Sequence, residues 1–99
     1  MNIAIYCAFD TPATIEYAKA TIAYLEKEGH PLSLDKRLID HLTEKSKTYD
    51  LFNPEDTIDS KIDFLFSIGG DGTLLRSITF VKDSQIPILG INTGRLGFL

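Results

Sequence analysis

The sequence predicts an α/β domain, an open parallel sheet with flanking helices. Three observations predict it. Short apolar runs near residues 3–9, 63–68 and 86–91 have no helical period and read as strands. Segments of helical period, near 12–28 and 73–82, alternate with those runs, and such alternation builds a parallel sheet. Residues 62–68 are apolar at nearly every position, with Phe64, Leu65 and Phe66 in a row, as in a central strand buried on both faces.

Each element has its own local signal. Ile3 to Phe9 is a buried strand. Asp10-Thr11-Pro12 then starts a helix, with Thr11 as N-cap and Pro12 at the first helical position. Ile15, Ala18, Ile22 and Leu25 form its apolar face, and Gly29 followed by Pro31 ends it. Leu32 to Leu34 fits a very short strand. Asp35 caps a second helix running to about Lys45, with Leu38, Ile39 and Leu42 inward. Thr43 to Asp63 is polar, with a turn at Asn53-Pro54. It reads as a surface connection pinned by Leu51, Phe52 and Ile58. The helix from Thr73 carries Leu74, Leu75, Ile78 and Val81 as its apolar set, and Pro87 stands near the start of the last strand.

Composition narrows the function. The chain has 99 residues, a formal net charge of -4 and 43% hydrophobic residues. The acidic balance argues against nucleic-acid partners, which call for a basic face. No apolar run approaches the roughly 20 residues that span a membrane, so no membrane partner is expected. The first residues lack the basic start of a secretory leader. The single cysteine, Cys7, gives neither an intrachain disulfide nor a metal cluster, which fits a reducing, cytoplasmic setting. The apolar ending Phe98-Leu99, straight after a glycine-rich stretch, suggests the N-terminal part of a longer protein.

The chemistry concentrates in Ser67-Ile68-Gly69-Gly70-Asp71-Gly72-Thr73-Leu74-Leu75, between a strand and a helix. In open α/β sheets ligands bind beyond the carboxyl ends of strands, where this turn lies. Closely spaced glycines let backbone N–H groups approach a ligand, and the helix adds its positive end. A phosphate group suits such a turn. Asp71 does not suit mere phosphate holding: two like charges about 4 Å apart repel by roughly 4 kcal/mol at an effective dielectric of 20. The carboxylate is explained if it takes a hydroxyl proton or helps hold a divalent cation, and both belong to phosphoryl transfer. The plainer alternative is a tight turn with Asp71 as helix cap. The segment is neither a P-loop nor a dinucleotide fingerprint.

Gly69-Gly70-Asp71-Gly72-Thr73 resembles the signature of the superfamily of NAD kinases, diacylglycerol and sphingosine kinases, and 6-phosphofructokinases. Gly90-Ile91-Asn92-Thr93-Gly94-Arg95-Leu96-Gly97-Phe98-Leu99 is similar to the second NAD kinase motif. The resemblance implies a Rossmann-like N-terminal domain over 1–99, truncated before the β-rich C-terminal domain of the family. It also implies phosphorylation of the 2′-hydroxyl of the adenosine ribose of NAD to give NADP. ATP would be the donor and a divalent cation, Mg2+, the cofactor, in a homo-oligomer when the chain is full length.

Carried onto this chain, the resemblance makes Asp71 the proton acceptor for that hydroxyl. Gly72 lies against the ribose through its backbone, and Gly69, Gly70, Gly72 and Thr73 shape the phosphate turn. Arg76 contacts NAD or the phosphates, unless it is a solvated surface charge. Phe98 packs the adenine, unless it is plain core, and Leu75 and Leu96 line the same pocket. None of these residues forms a metal site. Asn92 binds ligand or satisfies local backbone. Arg95, His30 and His41 read as ordinary turn or surface residues, and Cys7 as a small strand residue. Two other functions stay open: a lipid or sugar kinase of the same superfamily, and a non-catalytic nucleotide-binding module.

Overall fold

The computed structural model describes residues 1–7, 11–42, 49–56 and 58–93. Five strands form one sheet: β1 (Ile3–Cys7), β2 (Leu32–Asp35), β3 (Asp50–Phe52), β4 (Phe64–Gly69) and β5 (Ile88–Asn92). Their order is β3-β2-β1-β4-β5, and every neighbouring pair is parallel. Two α-helices, α1 (Pro12–Lys27) and α2 (Asp71–Val81), make crossovers from β1 to β2 and from β4 to β5.

Those crossovers run in opposite directions from the centre of the sheet. With the usual hand for both, the helices fall on opposite faces. The core bears this out. Along β1, Ile3, Ile5 and Cys7 point to the α1 side and join Ala18, Ile22, Leu25 and Leu34. Ala4 and Tyr6 point to the α2 side with Leu65 and Val81. All five residues of β1 are buried, as a central strand covered on both faces requires.

Local chemistry sets the limits of α1. The Thr11 hydroxyl accepts from the Thr14 N–H at 3.2 Å, and Pro12 occupies the first turn. At the other end Gly29 has φ 85°. The N–H groups of Gly29 and His30 return to the carbonyls of Glu26 and Leu25, closing a Schellman motif.

Four expectations need correction. The segment after β2 is a 3-10 turn, Lys36–His41, not a helix to about residue 45. Asp35 does cap it, accepting from the Arg37 N–H at 3.0 Å. The expected connection over residues 43–63 contains the edge strand β3, where Leu51 is exposed. Phe52 and Ile58 do anchor it to the core, and Phe52 stacks on Phe80 at 5.3 Å between ring centroids. The third correction is that α2 starts at Asp71, two residues early. The fourth is that it buries Thr73, Ser77 and Val81, while Leu75 and Ile78 are 65% and 51% exposed. The physical reason is the partner strand. β4 presents Ser67 to the helix, and Ser77 donates to Ser67 Oγ at 2.7 Å. This hydroxyl contact, with the second oxygen link from Ser77 to the Thr73 carbonyl, lets α2 sit on its small-residue face. Leu74 lies over Gly90 of β5, where a Cβ would meet Leu74 Cδ1 at 3.3 Å.

Candidate functional site

The sheet has its switch point between β1 and β4, because the crossover from β1 leads one way and that from β4 the other. Crevices at such points, outside the carboxyl ends of the strands, are where open α/β sheets hold ligands. β4 delivers its glycine turn to this place. Gly69 ends the strand with φ 156°, a backbone angle that side-chain-bearing residues rarely adopt. Gly70 is the N-cap of α2, and its carbonyl accepts from the N–H groups of Thr73 and Leu74 at 3.1 and 3.2 Å. The N–H groups of Asp71 and Gly72 precede those first intrahelical bonds and belong to the donors a helix leaves without partners in its own backbone.

Asp71 is therefore not the helix cap that the plainer sequence alternative made it. It stands in the first turn, exposed, and its Oδ1 accepts from Asn92 Nδ2 at 3.1 Å. The other glycines of the turn have no internal reason to be glycine. A Cβ at Gly70 would meet nothing within 4 Å, and one at Gly72 would meet only Arg76 Nη1 at an ordinary 3.6 Å. Glycine inside a helix costs about 0.5–1 kcal/mol relative to alanine.

Arg76 folds back along α2. Its Nη2 donates to Thr73 Oγ1 at 3.5 Å, which puts the guanidinium beside Gly72 at the head of the helix. Thr73 itself is 3% exposed, so its side chain supports the turn from beneath. Leu75 is exposed. Phe98, Leu96 and Arg95 lie outside the described residues. His30 sits in the α1–β2 connection, at the opposite end of the sheet, and Cys7 is fully buried at the end of β1.

Besides the Asp71–Asn92 contact, two more at this edge escaped the sequence reading. The Thr14 hydroxyl, buried in α1, lies 2.6 Å from that of Thr93, just past β5, and 3.0 Å from that of Thr11. The Thr93 N–H also donates to the Gly69 carbonyl at 3.0 Å. The end of β5 thus ties the glycine turn to the start of α1. A polar residue on the inner face of α1, four positions before Ala18, is the signal that marks Thr14. The second contact is Asp35 with Arg37. Asp35 is fully buried, and Arg37 Nη2 meets its Oδ2 at 2.6 Å, with Nε 3.0 Å from Oδ1. Hydrogen bonding to Asp35 holds the Arg37 guanidinium above its ordinary pKa.

A hollow of about 570 Å³ lies at the end of the sheet away from the turn, among Asn2, Pro31 and Lys61, and one of about 760 Å³ lies on the α2 side. The larger reaches Arg76, with Tyr6, Arg37 and Phe80 around it, and Asp71 lines neither. The turn is an open ledge with bare N–H groups, one carboxylate and one guanidinium. Among the described residues no three Asp, Glu, His or Cys side chains converge to hold a metal ion, and no helix is long and apolar enough to cross a membrane.

Together the doubly wound sheet, the glycine turn at its switch point and the exposed carboxylate define an open α/β domain with its polar ledge at the carboxyl ends of the strands. The chain belongs to the ATP-NAD kinase N-terminal domain family, whose family model matches residues 3–99. Among its relatives, the NAD kinase of Flavobacterium johnsoniae is 38% identical over 102 residues, covering 100% of this chain and 35% of that protein. The NAD kinase of Methanothermobacter thermautotrophicus is 36% identical over 99 residues, covering 100% and 33%. That of Porphyromonas gingivalis is 44% identical over 86 residues, covering 82% and 28%. The chain thus spans about a third of the length of these relatives.

Proposed function

We propose that the protein carrying this domain transfers the γ-phosphoryl group of ATP to the 2′-hydroxyl of the adenosine ribose of NAD, giving NADP and ADP. Family membership and the relatives named NAD kinase support the reaction. The observation that carries it to particular residues is the exposed Asp71 carboxylate at the head of α2, flanked by glycines whose bareness the fold itself does not need.

In this reading the ribose hydroxyl lies against Gly72 and within hydrogen-bond reach of Asp71. The hydroxyl oxygen forms a bond to the γ-phosphorus as the bond from that phosphorus to the bridging oxygen of ADP breaks. The hydroxyl proton passes to Asp71. General-base help of this kind is worth about 10²–10⁴ in rate. Much of the remaining barrier is lowered by holding reactants in line and stabilising phosphate charge. The N–H groups around Gly69, Gly70 and Gly72 and the Arg76 guanidinium suit that second task. They also offset the repulsion between Asp71 and phosphate. Thr73 keeps the turn in shape from below. Phe98 is proposed to pack the adenine.

A divalent cation, Mg2+, is proposed as cofactor; it would be held mainly by substrate phosphates, as Mg2+ commonly is, and would offset phosphate charge. We also propose a cytoplasmic homo-oligomer. The single, buried Cys7 supports the reducing compartment. The relatives' length supports a site completed by chain beyond these residues.

The test is an acceptor panel with ATP as donor. The complete protein is expected to make NADP from NAD and to leave diacylglycerol, sphingosine and sugar phosphates unmodified. Residues 1–99 alone are expected to make none. Turnover of a lipid or sugar with no NADP formed, or robust NADP formation by residues 1–99 alone, would overturn the proposal.

A further inference from the structure

We infer that Asn92 is a positioning residue, which fixes the Asp71 carboxylate so that one oxygen is left to take the ribose proton. The inference rests on the reading of Asp71 as proton acceptor and extends it to a residue on a different element.

Asp71 is exposed in the first turn of α2, a setting in which an aspartate side chain is free to choose among rotamers. Its hydrogen-bond partner is not local. Asn92 lies 21 residues away at the end of β5, and its Nδ2 donates to Oδ1 at 3.1 Å. An ionised carboxylate only accepts, so the contact must come from the amide nitrogen. With Oδ1 occupied, Oδ2 is the oxygen left for a hydroxyl donor.

The anchor is firmer than the group it holds. Asn92 is in register with Gly69, the residue that opens the glycine turn. The next residue, Thr93, donates its N–H to the Gly69 carbonyl at 3.0 Å and meets Thr14 of α1 through a hydroxyl contact of 2.6 Å. Motion of Asn92 relative to the turn would break the β4–β5 ladder.

The residue type fits the task. The amide supplies a donor without charge. A lysine or arginine there would pair with Asp71 and weaken it as a base, and an aspartate would repel it. Arg76, the nearby cation, directs its Nη2 to Thr73 instead.

The experiment uses the complete enzyme and four proteins: wild type, Asn92→Ala, Asp71→Asn and the double variant. Misplacing a reacting group by about 1 Å can cost on the order of 10²-fold. Asn92→Ala is therefore expected to lower kcat by roughly 10- to 100-fold, with the KM for NAD changed about threefold or less. Its melting temperature should stay near that of the wild type. In the Asp71→Asn background the same substitution should cost almost nothing further, because its effect passes through the carboxylate. Asn92→Asp, isosteric but unable to donate when ionised, should lose at least as much as Asn92→Ala. The inference is overturned if Asn92→Ala keeps its kcat, if its loss is undiminished in the Asp71→Asn background, or if Asn92→Asp retains turnover. A different result, Asp71→Asn with normal turnover, would instead remove the assignment of Asp71 on which the inference stands.

Discussion

At the scale of single residues, the carboxylates of this domain illustrate two fates of buried and exposed charge. Asp35 is fully buried and survives there because three Arg37 donors, the backbone N–H, Nε and Nη2, reach it. Asp71 is exposed and, among the described residues, is contacted by Asn92. Arg37→Ala leaves Asp35 its backbone donor but removes the guanidinium. Leaving a buried acceptor short of a partner costs about 1–3 kcal/mol. The lower half of that range is expected, because the Arg37 side chain is 48% exposed and water replaces part of it. The sign of any pH effect follows from the raised pKa of Arg37. A base whose folded-state value is raised stabilises the fold wherever it is protonated. Its contribution is complete below the ordinary arginine range and lost only above it. Chemical denaturation should give the same loss for Arg37→Ala at pH 7 and pH 9, and a loss confined to one of these would contradict the assignment. The turn that carries Asp71 was legible as a strand-to-helix junction because its signal is contiguous: glycines, a carboxylate and a helix start within a few residues. Neither the Asn92 contact nor the Thr14–Thr93 link was legible, because strand register, not chain proximity, brings those residues together.

At the scale of elements, helix α1 followed its pattern and α2 did not. The inner positions of α1 match its apolar period, and its caps are written in Thr11, Pro12 and Gly29. In α2 the apolar period points to Leu74, Leu75, Ile78 and Val81, yet of these only Val81 is buried, beside Thr73 and Ser77. Hydropathy could not reveal this, since the deciding contact is a hydroxyl pair with Ser67 of β4. β3 was hidden for a related reason. An edge strand of three residues, largely exposed, has too little apolar alternation to stand out from a loop. The head of α2 yields a prediction at this scale. Gly72→Ala places its Cβ in open space except for the movable Arg76 guanidinium, and alanine is the better helix former. The variant is expected to be more stable by up to about 1 kcal/mol while losing NADP formation, since the methyl group covers the backbone offered to the ribose. A melting curve and a turnover assay on one preparation check both halves. Unchanged turnover would mean that the bare backbone at Gly72 serves no ligand.

At the scale of the whole molecule, the two crossovers and the switch between them decide where chemistry sits. Three separate stretches of chain meet at one edge: the start of α1, the turn after β4 and the end of β5. The first glycine motif supplies the carboxylate, and the second holds it. If this edge provides the proton acceptor of the proposed NAD kinase, Asp71→Asn in the complete enzyme must remove it. Asparagine keeps the size of the side chain but removes its charge and its capacity as a base. Steady-state kinetics should show kcat reduced by about 10²–10⁴, with the KM for NAD changed far less and the melting temperature preserved. Near-normal kcat in a folded Asp71→Asn enzyme would contradict the account.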